Sequence, residues 1–183
     1  EGKLIGFDHY ISTNSKTSTP VFSQIQGSAQ ELELIKEAMG FGQFFKGENA
    51  TERNFKLNAP TADILHLAVH GVADTINPLN SRLIFNKSSS EEDGKLYFHE
   101  LYNLKTNASL VVLSACQTGV GRNLKGEGVM SLGRAFQYAG ASSLITALWE
   151  INDRSSAKLV GSFYENLSDE KLICSALTKA KLN

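Results

Sequence analysis

Ile64-Leu65-His66-Leu67-Ala68-Val69-His70-Gly71 is one of two stretches that decide the fold class of this chain, and Leu110-Val111-Val112-Leu113-Ser114-Ala115-Cys116-Gln117-Thr118-Gly119 is the other. Each is a short apolar run that ends in turn residues, the pattern of a fully buried strand. Segments with helical spacing lie before, between and after the two runs. Strands that alternate with helices predict a three-layer α/β sandwich, with a mainly parallel central sheet and helices on both faces.

Further elements follow from local patterns. Ser28-Ala29-Gln30-Glu31 and Asn49-Ala50-Thr51-Glu52 resemble capping signals at the start of helices, and Gly40 occupies the position of a glycine that ends a helix. We expect additional strands at 4–10, 41–45, 82–85, 95–98 and 142–149, and later helices around 129–139, 153–167 and 172–180.

Composition narrows the class of protein. The chain has 183 residues, of which 42% are hydrophobic and 20% charged, and its net charge is −1. The scattered basic residues do not indicate a nucleic-acid surface, and no apolar run approaches the roughly 20 residues of a membrane span. Two cysteines do not make a disulfide framework, so we expect a reducing compartment, the cytoplasm.

The ends of the chain suggest a piece of a larger protein. The chain starts at Glu1 rather than Met, and the last helical pattern runs to Asn183 without a Gly or Pro stop signal. Since neither a repeat nor a linker is visible, we expect residues 1–183 to form one domain of a longer protein.

His70 and Cys116 are the candidate functional residues, because each follows a buried strand and precedes a glycine-containing turn. Parallel α/β sheets present functional groups at the carboxyl ends of their strands. A thiol and an imidazole there fit a cysteine nucleophile with a general base. Each residue alone is also typical of a core position, since free cysteine is among the most buried residue types.

A metal site built from His66, His70, His99 and Cys116 is the competing interpretation. On a strand, His66 and His70 would lie about 13 Å apart, too far to share one ion. The chain also lacks Cys-x-x-Cys and His-Glu-x-x-His motifs. We therefore expect neither a metal nor a cofactor.

Several motifs together resemble the CHAT domain. They are Leu65 to Gly71, Asn77-Pro78-Leu79-Asn80-Ser81, Leu113 to Gly119, Gly126-Glu127-Gly128-Val129, Arg134-Ala135-Phe136 with Ala139-Gly140-Ala141, and Leu148-Trp149. CHAT domains are caspase-like cysteine peptidases related to separase and are often joined to tetratricopeptide repeats. The resemblance covers about residues 31–183 and implies a caspase-like fold. Gln117 stands where many members have Glu.

The resemblance also implies roles for individual residues. Cys116 and His70 would form the catalytic dyad, and the backbone N–H groups of Gly71 and Cys116 the oxyanion hole. The segment Ala147-Leu148-Trp149-Glu150 is similar to the strand end that holds substrate in related peptidases. Asp153, with Glu150 as second choice, would receive a basic substrate side chain, although Asp153 also fits a helix cap.

Two further residues are left out of the dyad. Asp74 is a candidate to orient His70, but we leave it out of the dyad because this class commonly uses a backbone carbonyl there. Cys174 is expected to be structural, since it lies within the last helical pattern and lacks a neighbouring base.

The function predicted from these residues is cleavage of a specific protein or peptide by a cysteine endopeptidase. A regulatory partner or region outside the chain would control it. The glycine-rich loop 119–128 and the polar insertion 86–94 are candidate elements of a switch that such a partner would order. Two alternatives stay open: a scaffold module with an intact but idle dyad, and a hydrolase of small acyl substrates. Nucleic acid and membrane are not expected among its partners.

Overall fold

The computed structural model describes residues 2–8, 27–72, 74, 76–87, 92–114, 127–146, 153–170 and 172–182. Its strands are β1 Leu4–Asp8, β2 Gln43–Lys46, β3 Ile64–Ala68, β4 His70–Val72, β5 Arg82–Ile84, β6 Lys95–Tyr97, β7 Leu110–Leu113 and β8 Leu144–Thr146. Its helices are α1 Ser28–Met39, α2 Glu52–Asn58, α3 Phe98–Asn103, α4 Glu127–Tyr138, α5 Asp153–Asp169 and α6 Ile173–Leu182.

The central sheet is parallel and has the strand order β2-β1-β3-β7-β8. One face packs on α2, α3 and α4 and the other on α1, α5 and α6, so the apolar core forms two separate clusters. Strands buried on both faces read as near-continuous apolar runs, which explains the sequence pattern of β3 and β7. The predicted three-layer α/β sandwich is confirmed.

A cluster of phenylalanine rings fills the layer between the sheet and α2 to α4. Phe7 stacks on Phe45 with ring centroids 4.9 Å apart, and meets Phe55 edge-on at 5.6 Å. Phe85 lies 5.3 Å from Phe55, and Phe136 of α4 meets Phe55 edge-on at 6.5 Å. Offset and edge-to-face contacts of this kind add to the stabilisation from burial alone.

A second, antiparallel sheet has the order β4-β5-β6. The run 64–71, predicted as one strand, is therefore two: β3 ends at Ala68, and β4 begins at His70 in the other sheet. Only Val69 separates them, and it is buried in the same cluster as Leu65 and Leu67. The chain thus passes from one sheet to the other immediately before His70.

Helix starts differ from the predicted capping signals, whereas Gly40 behaves as expected. Gly27, with φ of 100°, precedes α1 without a side-chain cap, and Glu31 instead reaches into the core. Thr51, not Asn49, caps α2, because its hydroxyl accepts a hydrogen bond from the backbone N–H of Asn54 at 3.1 Å. Gly40 ends α1 with φ of 69° and donates its N–H to Lys36.

Within the described ranges, none of the helices is both long enough and apolar enough to cross a bilayer.

Candidate active site

The ends of three central strands lie in a common register at the carboxyl edge of the sheet. Leu67 of β3 is paired with Leu113 of β7, and Leu113 is paired with Thr146 of β8. His70, Cys116 and Trp149 each follow their member of this row by three residues. The N–H of Ser114 donates to the carbonyl of Leu67 at 3.0 Å, so β3 and β7 remain paired beyond the last strand residue.

His70 is fixed by the strand that it begins. Its side chain is buried, with 2% exposure, and its backbone is paired with Ile84 of β5. Gly71 is paired with Leu83, so the predicted base and the predicted oxyanion glycine belong to the same short strand. An imidazole on a strand paired to a second sheet is held more firmly than one on a loop, which suits general base catalysis.

Several predicted site residues lie outside the described residues: Cys116, Ala147, Leu148, Trp149 and Glu150. Asp153 opens α5 with its backbone, and its side chain is not among those described. The roles given to these residues stay predictions, as does the oxyanion role of the Gly71 N–H. The glycine-rich loop is described only from Glu127 onward, where α4 begins.

Asp74 organises the turn that follows β4. Its carboxylate oxygen Oδ1 accepts hydrogen bonds from the N–H groups of Ile76 and Asn77 at 2.9 and 2.8 Å. These two bonds lower the pKa of the carboxyl group. The backbone N–H of Asp74 donates to the hydroxyl of Ser81 at 2.9 Å. The described hydrogen bonds of this carboxylate are therefore made within its own loop, and the exclusion of Asp74 from the dyad stays a prediction.

His66 lies in a buried polar cluster that sequence reasoning missed. Its Nδ1 is 3.2 Å from the hydroxyl of Tyr164, and its Nε2 is 3.2 Å from Oε1 of Glu31, within ion-pair range but out of line for a hydrogen bond. Burial, together with the charge of Glu31, raises the pKa of Tyr164 well above its ordinary value. The phenol therefore stays protonated, and its hydroxyl and Nδ1 share a hydrogen bond whose direction follows the tautomer of the imidazole.

Asp8, at the carboxyl end of β1, extends this cluster. It is buried, and burial raises the pKa of its carboxyl group; a hydrogen bond with Ser28 and the charge of Lys46 act in the opposite sense. An apolar strand interrupted by one histidine, with a Glu on the earlier helix α1, was the available sequence signal. It could not be used because spacing along the chain does not show which residues meet across layers.

Two of the four residues of the competing metal interpretation, His66 and His99, lie in different surroundings. His66 belongs to the buried polar cluster, whereas His99 is exposed on α3 and stacks on Tyr97 at 5.5 Å. Among the residues that the structure describes, no group of three or more His, Cys, Asp or Glu side chains is arranged to hold a metal ion. Cys174, the other thiol, is exposed on α6.

A family profile described as the CHAT domain matches residues 8–183. The chain belongs to the CHAT domain family. This family is related to the caspase-like cysteine peptidases, and the match spans β2 to β8 and the six helices described above.

Two similar proteins place this CHAT domain in context. Tetratricopeptide repeat protein 28 of Mus musculus is 38% identical over 68 residues, which are 37% of this chain and 3% of the mouse protein. The chain therefore spans a small fraction of that relative. A flavodoxin from Streptococcus pneumonia TIGR4 superposes with a TM-score of 0.44 and 12% identity over 93% of this chain and 99% of the flavodoxin. A likeness of that degree indicates no shared function.

Proposed function

We propose that this CHAT domain is a cysteine endopeptidase that cleaves a protein partner with Cys116 as nucleophile and His70 as general base. The observation that carries the proposal is the register of the central sheet. Leu67 and Leu113 are paired neighbours, and both proposed catalytic residues follow them at the same distance along the chain. Equal offsets from paired positions of adjacent parallel strands favour a meeting at the carboxyl edge.

The proposed reaction uses only groups of the chain and water. The Cys116 thiolate attacks the peptide carbonyl, and the N–H groups of Gly71 and Cys116 stabilise the resulting oxyanion. His70 takes the thiol proton and delivers it to the leaving amine as the C–N bond breaks. Water, deprotonated by His70, then hydrolyses the thioester and restores the thiol. The burial of His70 supports this role, because a fixed imidazole loses little entropy in the transition state.

The edge of the central sheet supports a binding mode for an extended substrate. Within the described strands, β8 is paired on one side with β7 and is the outermost strand on the other. An exposed edge can pair with an added strand, the mode of β-augmentation. Residues 147–150 continue directly from β8, so we assign Ala147, Leu148, Trp149 and Glu150 to substrate binding.

Asp153 is the proposed specificity residue for a basic side chain before the cut. It is the first residue of α5, seven residues after the end of β8. A carboxylate there would attract a basic substrate side chain across the sheet edge. Glu150 is the second choice, as it lies within the proposed substrate segment.

The setting of the domain is part of the proposal. The mouse relative is named for tetratricopeptide repeats. This supports the proposal that residues 1–183 are a single domain of a longer protein that also contains such repeats. We further propose that it acts in the cytoplasm, under control of a regulatory region or protein partner. The scaffold and small-acyl alternatives are separated from peptidase activity by the experiment below.

A peptide-library cleavage screen with matched variants tests the proposal. We expect Cys116→Ala and His70→Ala each to abolish turnover, and the double variant to be hardly worse than either, because a dyad acts as a unit. Cys174→Ala is the control and should keep activity within about threefold, as its thiol is exposed on α6. Peptidase activity retained in Cys116→Ala would refute the proposal. Equal labelling of both thiols by a substrate-like probe would favour the scaffold alternative.

A further inference from the structure

The β5–β6 hairpin holds the strand that carries His70. Within the described part of the chain, the three-residue strand β4 pairs only with β5, and β5 in turn pairs with β6. His70 therefore has the main sheet on one side, through Val69, and the hairpin on the other. The place of the imidazole depends on where the hairpin sits.

The end of the hairpin that leads into the connecting loop is docked on the residues around the start of α2. The backbone N–H of Asn86 donates to the carbonyl of Ala50 at 2.9 Å, and its side-chain amide donates to the carbonyl of Gly47 at 2.6 Å. On the other arm, the N–H of Gly94 donates to Oε2 of Glu52 at 3.1 Å. Glu52 is 3% exposed, so a side chain of α2, and not only its backbone, reaches the hairpin.

A chain of charges connects Glu52 to the far end of β6. The Lys56 ammonium donates to Oε1 of Glu52 at 2.5 Å and to Oε1 of Glu100 at 2.7 Å. Oε2 of Glu100 accepts the N–H of Tyr97, the last residue of β6, at 2.9 Å. Both ends of β6 are thus fastened to α2, one through Gly94 and Glu52 and one through Tyr97, Glu100 and Lys56.

The two partners of the buried ion pair respond differently to their surroundings. Burial raises the pKa of Glu52 despite the hydrogen bond from Lys56, and the charges of Glu100 and Glu92 act in the same sense as burial. Burial lowers the pKa of Lys56, but its bonds to Glu100 and Glu52 outweigh this and the net change is upward. The carboxylate is the more deeply buried partner, so desolvation determines the direction of its pKa change. The more exposed lysine is stabilised in its charged form by two carboxylate acceptors, which outweigh its own desolvation.

We propose that Glu52 is a positioning residue for His70, acting through the β5–β6 hairpin. One carboxylate oxygen of Glu52 bonds to the hairpin backbone and the other to Lys56. This single side chain therefore fixes the position of the paired strands β6, β5 and β4, and β4 begins at His70. Any effect of Glu52 on catalysis rests on the peptidase function proposed above. Its effect on the position of His70 does not depend on that function.

The experiment compares Glu52→Ala, Glu52→Gln and Lys56→Met with the native chain. Glutamine keeps an oxygen that can accept the Gly94 N–H but turns the charge pair into a neutral contact, so it separates the two bonds of Glu52. Glu48→Gln is the matched control, because Glu48 is exposed four residues earlier and carries the same charge. If Glu52→Ala does not fold, the other two variants still decide the outcome.

Two readouts do not depend on activity. Hydrogen exchange of the backbone amides in residues 70–72 and 82–85 should accelerate about tenfold in Glu52→Ala, with β1 and α5 unchanged. The midpoint of the NMR titration of His70 should shift in Glu52→Ala. The chain has four histidines, so the His70 signal is assigned with a His70→Gln variant. Glu52→Gln should show intermediate changes, and Glu48→Gln none.

Alkylation of Cys116 by iodoacetamide across pH provides the third readout, because in the proposed dyad the pH at which the thiolate reacts follows the imidazole of His70. A shifted profile in the Glu52 variants supports the positioning role. Exchange that accelerates equally in every strand, or a His70 titration unchanged in all three variants, would overturn it and leave Glu52 as a stabilising ion pair alone. A native chain that cleaves no peptide but whose His70 titration shifts in Glu52→Ala would contradict the proposed function and not the positioning.

Discussion

Tyr164→Phe is the substitution that best tests the buried polar cluster. It removes one oxygen and leaves the ring in a fully buried site between α5 and the sheet. The hydroxyl is 3.2 Å from Nδ1 of His66, so its loss leaves a buried imidazole nitrogen without this partner. An unsatisfied buried polar group costs about 1–3 kcal/mol. For a chain of this length, about 2 kcal/mol lowers Tm by roughly 4–8 °C.

A double-mutant cycle with His66→Leu gives the strength of the contact itself. Unfolding in urea is followed by far-UV circular dichroism for the two single variants and the double variant. We expect a coupling energy of about 1 kcal/mol between Tyr164 and His66, since contacting residues in one network are not additive. Tyr138→Phe is the control: Tyr138 is 81% exposed, so the change should stay within about 0.5 kcal/mol. A Tyr164→Phe protein of native stability, or zero coupling, would show that the phenol and imidazole do not interact as described.

Three further predictions concern other sites. Burial raises the pKa of Asp8 above its ordinary value of 3.8, so the contribution of Asp8 to stability is fully present below pH 3.8 and is lost as pH rises through the folded-state pKa. Asp8→Asn should therefore stabilise the chain by about 1 kcal/mol at neutral pH and not at pH 3. A difference in Tm between the variant and the native chain that is the same at both pH values would contradict this. Gly140→Ala should lower Tm by several degrees, since φ is +112° and an added Cβ would lie 2.2 Å from the carbonyl oxygen of Thr106; a native Tm would be the opposing result. Asp153→Asn should reduce cleavage after basic residues by at least tenfold while sparing stability, because Asn caps helices as well as Asp, and a library screen showing cleavage after apolar or acidic residues would oppose the assignment.

The sequence was sufficient for the layered fold because β7 is apolar throughout and β3 is apolar except for His66. Such runs, alternating with helical patterns, are typical of strands covered on both faces, and the parallel sheet with its two helical layers follows. The separation at Val69 could not be predicted. Both halves of the run are apolar and extended, and only the ladder partners, β7 for one and β5 for the other, distinguish them.

In the candidate site, too, features set by neighbouring residues could be predicted and contacts between distant residues could not. His70 was found from its position at the end of a strand, which is a local property. Glu31 and Glu52 were both interpreted as helix-capping acids, yet Glu31 faces His66 and Glu52 holds the hairpin at Gly94. Their partners lie 35 and 42 residues away in the chain, so no short pattern could have shown them.

The phenylalanine cluster has a practical consequence for spectroscopy. Its rings come from Phe7, Phe45, Phe55, Phe85 and Phe136, and the chain contains one tryptophan, Trp149. Light absorbed at the red edge of the indole band therefore excites a single residue, located in the segment to which we assign substrate binding. The native chain is in effect already labelled, and its emission can follow occupancy of that segment without an added dye while the phenylalanine core stays dark.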